Sequence, residues 1–132
     1  MRDYPLAKVY QTIEPGPVVL LTTAAKGRAN VMTMSWHMMV DFEPPLIACI
    51  VSEGDYSFAA LTRVPAAHVA APLIAECFIN LECTVIDTRL VNAYGLFILE
   101  VVKAWTDPKQ KNAKTIHHRG YGKFAGTATS SS

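Results

Sequence analysis

The sequence predicts a mainly β fold in which hairpins and short helices join the strands, and a small antiparallel barrel is the expected architecture. Two features support this prediction. Short runs of apolar and β-branched residues recur along the chain, each bounded by glycine, proline or polar residues. One run, residues 77–85, alternates apolar with polar side chains, as a strand does when only one of its faces is buried.

The composition is that of one globular domain with an apolar surplus. The chain has 132 residues, of which 51% are hydrophobic and only 17% are charged. Because a monomer of this size cannot bury so much apolar surface alone, we expect an oligomer. A formal net charge of +1 gives no electrostatic reason to expect a nucleic acid or a membrane surface as partner.

The sequence favours a cytoplasmic protein. No apolar run is long enough to span a bilayer, and the N-terminus lacks the apolar core of a signal peptide. The three cysteines, Cys49, Cys77 and Cys83, lie in apolar stretches and form no CxxC pair. Free buried thiols are therefore expected, rather than a disulfide framework or a zinc site.

The first half of the chain predicts a hairpin followed by a buried strand. Residues 18–23 and 29–35 are expected to be strands joined by a turn in which Gly27 takes a positive φ. Residues 46–51 form a continuous apolar run, which is typical of a strand buried on both faces.

A short helix is expected over residues 58–63, after that buried strand. Asp55 or Ser57 can cap its start, and Phe58 and Leu61 would face the core. The N-terminal amides of such a helix would point back to the end of the preceding strand. Amides arranged in this way form a favourable binding site for a phosphate group.

The second half predicts another hairpin and then a polar C-terminal region. Residues 77–85 and 96–105 are expected to be its two strands. Residues 115–124 are polar and aromatic with two glycines, and are expected to form a closing loop. We expect one domain over residues 1–125, and a disordered tail or a remnant of cloning over residues 126–132.

Residues 30–45 combine side chains for which an ordinary core strand has little use. Short hydrogen-bonding side chains stand among bulky apolar ones, two flat and partly polar rings follow, and a Pro-Pro pair ends the stretch. The polar and ring residues are Asn30, Thr33, Ser35, Trp36 and His37. Trp36 alone is more often a core or interface tryptophan, and none of these residues makes a case individually. Together they suit a flat, polar ligand at the end of a sheet.

The sequence carries no recognisable catalytic motif, and no catalytic residue can be assigned from it. It has no GxSxG elbow, no P-loop lysine motif and no HExxH. His117 and His118 are neighbours, so on an extended chain they point to opposite sides and cannot easily share a metal. Either one of them faces a ligand, or both are surface residues. A site that binds a reactive cofactor is favoured over one that does its own chemistry.

Several segments in order resemble the flavin reductase-like, FMN-binding split-barrel family, in particular its flavoredoxin branch. The resemblance covers residues 18–124. It rests on residues 30–36, the Pro44-Pro45-Leu46 that follows, the Asp55-Tyr56-Ser57 turn, parts of residues 77–105, and residues 116–124.

The resemblance implies a six-stranded antiparallel Greek-key split β-barrel with short helices, assembled as a homodimer with one FMN per subunit. Hydride or electrons would pass through the flavin from NADH, NADPH or a redox protein. It implies that Ser52, Tyr56 and Ser57 lie near the FMN phosphate. The remaining residues implied to bind the flavin are Asn30, Thr33, Ser35, Trp36, His117 or His118, and Phe124.

One departure from the family lies after Arg63. Members usually have a further strand and a helical excursion there, whereas only residues 64–69 join the two matching parts. Either some forty residues are lost, beyond the common range of loop lengths, or the sequence omits a segment; the abrupt join favours omission. An intact mass well above 14.4 kDa would support omission, and a mass equal to it would exclude it.

Three functions remain open at this point. The first is an FMN-dependent oxidoreductase of the flavin reductase or flavoredoxin kind. The second is a flavin- or haem-binding module that transfers electrons without turnover. The third is an interaction barrel that has kept the fold and lost its site.

Overall fold

The computed structural model describes residues 2–13, 16–63, 71–110 and 112–128. In these ranges the chain forms eight β-strands, two short α-helices and an N-terminal 3₁₀ helix, Leu6–Gln11. The strands are β1 (Val19–Ala25), β2 (Arg28–Met34), β3 (His37–Phe42), β4 (Pro45–Ile50), β5 (Ile79–Asp87), β6 (Leu96–Thr106), β7 (Lys114–His118) and β8 (Phe124–Ala128), and the helices are α1 (Tyr56–Arg63) and α2 (Val91–Tyr94). None of these helices is long and apolar enough to cross a bilayer.

The strands form three antiparallel sheets. β1 pairs with β2, β7 pairs with β8, and a four-stranded sheet has the order β3-β4-β6-β5. The mainly β class is thus confirmed. The detail of six strands closing into one Greek-key barrel is not, because the described residues contain eight strands in three separately hydrogen-bonded sheets.

The β1–β2 hairpin has the form that the sequence predicts. Its turn residues, Lys26 and Gly27, have φ of 50° and 73°, the left-handed values of the tight turns that match the twist of two strands. Glycine takes such a φ at no steric cost. The turn fixes the register in which Thr23 lies directly opposite Asn30.

The core lies against one face of the four-stranded sheet. Its buried side chains come from β4, β6 and the residues beside them, and are Cys49, Val51, Val91, Phe97 and Leu99. α1 contributes Phe58 and Leu61 to the same cluster, as predicted. The Phe58 and Phe97 rings meet edge to face, with centroids 5.5 Å apart. This packing fixes α1 over the sheet.

The β5–β6 hairpin is confirmed, but the predicted burial of its first apolar residues is wrong. Ile79 and Leu81 are 42% and 43% exposed. Both pair with the last residues of β6, beyond Glu100, where the pairing of β6 with β4 stops. The end of the hairpin therefore extends past the sheet, and no neighbouring strand of the described ranges covers it there.

Three further expectations differ from the structure. Residues 37–42 belong to the segment 30–45 that was expected to bind a flat ligand, and no strand was predicted there, but they form β3. The expected closing loop contains β7 and the start of β8, and residues 126–128 of the expected tail belong to β8. Gly120 and Gly122 do mark the tight turn between β7 and β8, both with positive φ. Residues 129–132 lie outside the described ranges, as do residues 64–70, which include the short join at 64–69.

Candidate functional site

A buried polar cluster joins α1 to the first hairpin. Ser57 is fully buried, and its Oγ accepts a hydrogen bond of 3.1 Å from Asn30 Nδ2. The same Oγ lies 3.3 Å from Thr23 Oγ1, so the two hydroxyls share a second hydrogen bond. Buried polar groups are costly unless they are paired, and these three satisfy one another. The cluster therefore fixes the start of α1 against β1 and β2.

The start of α1 also carries exposed groups suited to an anion. Ser52 is exposed, and its carbonyl oxygen accepts the Asp55 N–H at 3.0 Å, which shapes the turn into the helix. Tyr56 is 44% exposed, and the Arg28 guanidinium lies over its ring, 5.8 Å from the centroid. A cation and a tyrosine ring thus lie at the first residue of α1, and an exposed serine lies in the turn before it. The dipole at a helix N-terminus favours negative charge.

The polar residues of the segment 30–45 divide between different surfaces. Asn30 and Thr33 are an odd number of positions apart on β2, so their side chains point to opposite faces. Asn30 is half-buried, whereas Thr33 is exposed. The structure therefore does not bring these two predicted ligand residues to one face of the strand.

Trp36 lies between β2 and β3 and is 49% exposed. Its backbone is held in place on both sides. The Trp36 carbonyl oxygen accepts the Ile50 N–H at 3.0 Å, and the carbonyl oxygen of the neighbouring Ser35 accepts the His37 N–H at 3.1 Å. A half-exposed indole on a fixed backbone offers a flat surface on which a planar ring can stack.

The predicted C-terminal site residues lie together on the β7–β8 hairpin. His118 and Phe124 are cross-strand partners, and their ring centroids are 5.1 Å apart. His117 is half-buried and its Nε2 lies 3.0 Å from Thr115 Oγ1. The two histidines point to opposite sides, as strand geometry requires. In the described ranges no three His, Cys, Asp or Glu side chains are grouped to hold a metal ion.

Cys49, inside the core, and the half-buried Cys83 that packs against it are neutral thiols at physiological pH. Burial raises the pKa of Cys49 to about 12, with a smaller contribution from the nearby Cys83. Burial raises the pKa of Cys83 to about 11. The thiolate is the reactive form of cysteine, so neither side chain is an effective nucleophile in the folded protein.

Two residues that contact the start of α1, Thr23 and Arg28, were not predicted from the sequence as site residues. The hairpin register could have indicated Thr23 as the partner of Asn30 once the turn at Lys26 and Gly27 was placed. Arg28 follows that turn directly, but its proximity to Tyr56 depends on how α1 packs against the hairpin. No local pattern carries that information.

Comparison with known proteins identifies the family. The model of the flavin reductase like domain family matches residues 12–64 and 50–125. The chain therefore belongs to the flavin reductase like domain family, and the resemblance to flavoredoxins and related FMN-binding proteins is confirmed. Comparison with curated protein sequences found no match.

Solved structures share this fold at low sequence identity. An FMN-binding protein from Thermus thermophilus aligns with a TM-score of 0.78 at 17% identity over 99% of this chain and 98% of its own. An FMN-binding domain of a flavin reductases-like enzyme from Shewanella baltica OS155 gives 0.74 at 22% identity, covering 98% and 95%. Flavoredoxin of Desulfovibrio vulgaris (Miyazaki F) gives 0.71 at 17% identity, covering 89% and 88%.

Proposed function

We propose that the protein binds FMN and acts as a flavin reductase- or flavoredoxin-type oxidoreductase. The observation that carries this proposal is the match of the flavin reductase like domain family, which extends over residues 12–125 in two overlapping segments. When bound, FMN would supply the hydride or electron transfer. NADH, NADPH or a redox protein is the proposed donor.

The chemistry of the candidate site suits the parts of FMN. Arg28, Ser52 and Tyr56 present a cation and hydroxyl groups near the start of α1, where a phosphate is favoured. Asn30 and the buried Ser57 hold that helix in place. The exposed face of Trp36 would stack on the isoalloxazine ring. His117 or His118, together with Phe124, would approach the flavin from the β7–β8 hairpin.

Three of the predicted residues, Thr33, Ser35 and Ser57, have a less direct role. Thr33 lies on the other face of β2 from Asn30, and Ser57 uses its hydroxyl inside the fold. Thr33 would contact a flavin on the other face of β2, for example a flavin held between this subunit and a partner subunit. Ser57 would act by anchoring α1, while Ser35 would act through its place beside Trp36.

We also propose that the functional unit is a homodimer. β3 is an edge strand, and apolar side chains along it are exposed, with Met38 at 62%, Met39 at 56% and Phe42 at 85%. Met38 and Met39 are neighbours and point to opposite faces of β3, so the exposed apolar surface lies on both sides of this edge, and monomers rarely leave so much of it in water. A second copy covering this strand would remove it and would also protect the open sheet edge.

A flavin titration followed by addition of nicotinamide tests the proposal. The protein should take up FMN with a change in the flavin spectrum, and NADH or NADPH should bleach the bound flavin under anaerobic conditions. Uptake of FMN without reduction by either nicotinamide would favour the electron-transfer module. A protein that takes up no FMN would contradict the proposal.

A further inference from the structure

We propose that His37 is a positioning residue that holds two parts of the flavin site in register, an inference that rests on the proposed function. Its imidazole Nε2 lies 2.7 Å from the carbonyl oxygen of Pro17. Because a carbonyl oxygen only accepts hydrogen bonds, Nε2 is the donor and carries the proton. In the neutral ring the lone pair is therefore on Nδ1.

The first part of the site is attached to His37 through the backbone. His37 begins β3 directly after Ser35 and Trp36, and its own N–H donates to the Ser35 carbonyl oxygen. It pairs with Cys49 of β4, and Trp36 is held by Ile50 of the same region. The position of the imidazole is thus set by the central sheet, together with that of the Trp36 backbone.

The second part is attached to Pro17. This residue forms a β-bridge with His117, and the next residue, Val18, donates its N–H to the Ile116 carbonyl oxygen at 2.6 Å. Residues 16–18 therefore run along β7, the strand that carries His117 and His118. The hydrogen bond from His37 to Pro17 connects the central sheet to that strand.

Gly16 supplies an independent observation that the ring and this segment are fitted to each other. A Cβ at position 16 would lie 2.8 Å from His37 Cε1 and 3.1 Å from its Nε2. Real Cβ atoms essentially never approach a neighbour so closely, so a side chain there would push the imidazole away from Pro17. Glycine lets the backbone come close to the ring.

The consequence follows from the separation of the sheets. In the described ranges the strand ladders do not connect the four-stranded sheet to the β7–β8 hairpin. Among the described residues, the backbone brings the two parts near each other only through residues 17–18 and the β1–β2 hairpin, in which Val19 lies opposite Met34. The His37 hydrogen bond adds a direct contact from β3 that fixes the relative position of Trp36 and β7. A ligand that contacts both parts binds best when they are already positioned, because it then loses less freedom on binding.

Three variants test the inference by their FMN dissociation constants, measured from flavin fluorescence. His37→Phe keeps a flat ring without the donor, and should weaken binding about 3- to 10-fold, the equivalent of one hydrogen bond. His37→Gln places an amide N–H at a similar reach and should restore affinity to within about 2-fold. Gly16→Ala should resemble His37→Phe, because the added methyl group displaces the ring.

A second measurement does not depend on FMN. In the flavin-free protein, His37→Phe should shift the amide NMR signals of Ile116 and His117, whereas His37→Gln should leave them near their wild-type positions. This rescue separates positioning from a general loss of packing. It does not use Gly16→Ala, so it remains decisive if that variant is too unstable to purify.

The outcomes distinguish this inference from the proposed function. If the wild-type protein takes up no FMN, both fail. If the wild type binds FMN and His37→Phe binds it equally well with unshifted β7 signals, the inference alone is overturned. It is also overturned if His37→Gln is as weak as His37→Phe, because the hydrogen bond is then not the cause.

Discussion

The two tryptophans of the chain provide a matched pair for testing the site at the scale of single residues. Trp36 and Trp105 are 49% and 44% exposed, but only Trp36 is a proposed flavin contact. Trp36→Ala should weaken FMN binding at least about tenfold, since an aromatic stacking contact and apolar area are lost. Trp105→Ala should leave affinity unchanged. Equal losses in the two titrations would argue against the site.

Ser57 is expected to matter for stability. Ser57→Ala leaves Asn30 Nδ2 and Thr23 Oγ1 without their partner in a buried place, which costs about 1–3 kcal/mol. Thr62→Ala is the control, because its hydroxyl is exposed and bonds only to carbonyls of its own helix. That change should cost less than about 0.5 kcal/mol. Urea denaturation measures both, and similar values would show that the cluster contributes little.

The buried thiols predict how stability changes with pH. The pKa of Cys49 is raised to about 12 and that of Cys83 to about 11, against an ordinary value of 9.0. Above pH 9 the folded state therefore holds protons that the unfolded state releases, so the free energy of unfolding falls as pH rises from 9 towards 12. Below pH 9 both states are protonated and this contribution is fully present.

Cys83→Ala tests this directly. Urea denaturation at about pH 8 and about pH 10.5 should give a smaller loss of stability on going alkaline for the variant than for the wild type. The comparison cancels the titration of tyrosines and lysines, which both proteins share. Parallel losses in the two proteins would contradict the raised thiol pKa.

At the scale of elements, the connection from α2 to β6 depends on a glycine. Gly95 has a φ of 64°, and a Cβ there would collide with the carbonyl oxygen of Val51. Gly95→Ala should therefore destabilise the protein by about 2 kcal/mol. Gly54→Ala is the control, because no atom of the described residues lies within 4 Å of the point that its Cβ would occupy. It should change stability by less than about 0.5 kcal/mol, and equal losses would contradict the role given to Gly95.

Local sequence patterns predicted the elements that are bounded by glycine or proline or that have a regular apolar face. Gly27 marks the first turn, the apolar run of β4 follows Pro44, and Phe58 and Leu61 give α1 its buried face. β3 was missed because no glycine or proline separates it from β2. β7 and β8 were missed because their polar and aromatic residues show no apolar alternation around the two glycines.

The sequence indicates only those parts of the candidate site that residue types reveal, and not those that depend on contacts between distant elements. Residue types indicated Trp36 and the histidines, and the resemblance supplied Tyr56 and the ligand. The roles of Thr23, Arg28 and Pro17 arise from contacts between elements far apart in sequence. Such contacts depend on how hairpins and helices pack, which no local spacing encodes.

At the scale of the whole molecule, the exposed β3 strand predicts a dimer. Light scattering should give twice the chain mass of 14.4 kDa. Phe42→Lys should shift the protein towards monomer, because a charge would have to be buried at the interface. Tyr94→Lys, at a position 68% exposed on α2, should leave the dimer intact. A wild-type monomer, or a Phe42→Lys variant that remains dimeric, would contradict this assembly.

The central claim, that this chain is a flavoprotein, is tested most directly by the visible spectrum of the purified protein before and after addition of FMN. We expect flavin absorption that stays with the protein through gel filtration, is released on denaturation, and is bleached by NADH or NADPH. A colourless protein from which added FMN separates completely on gel filtration would contradict the claim.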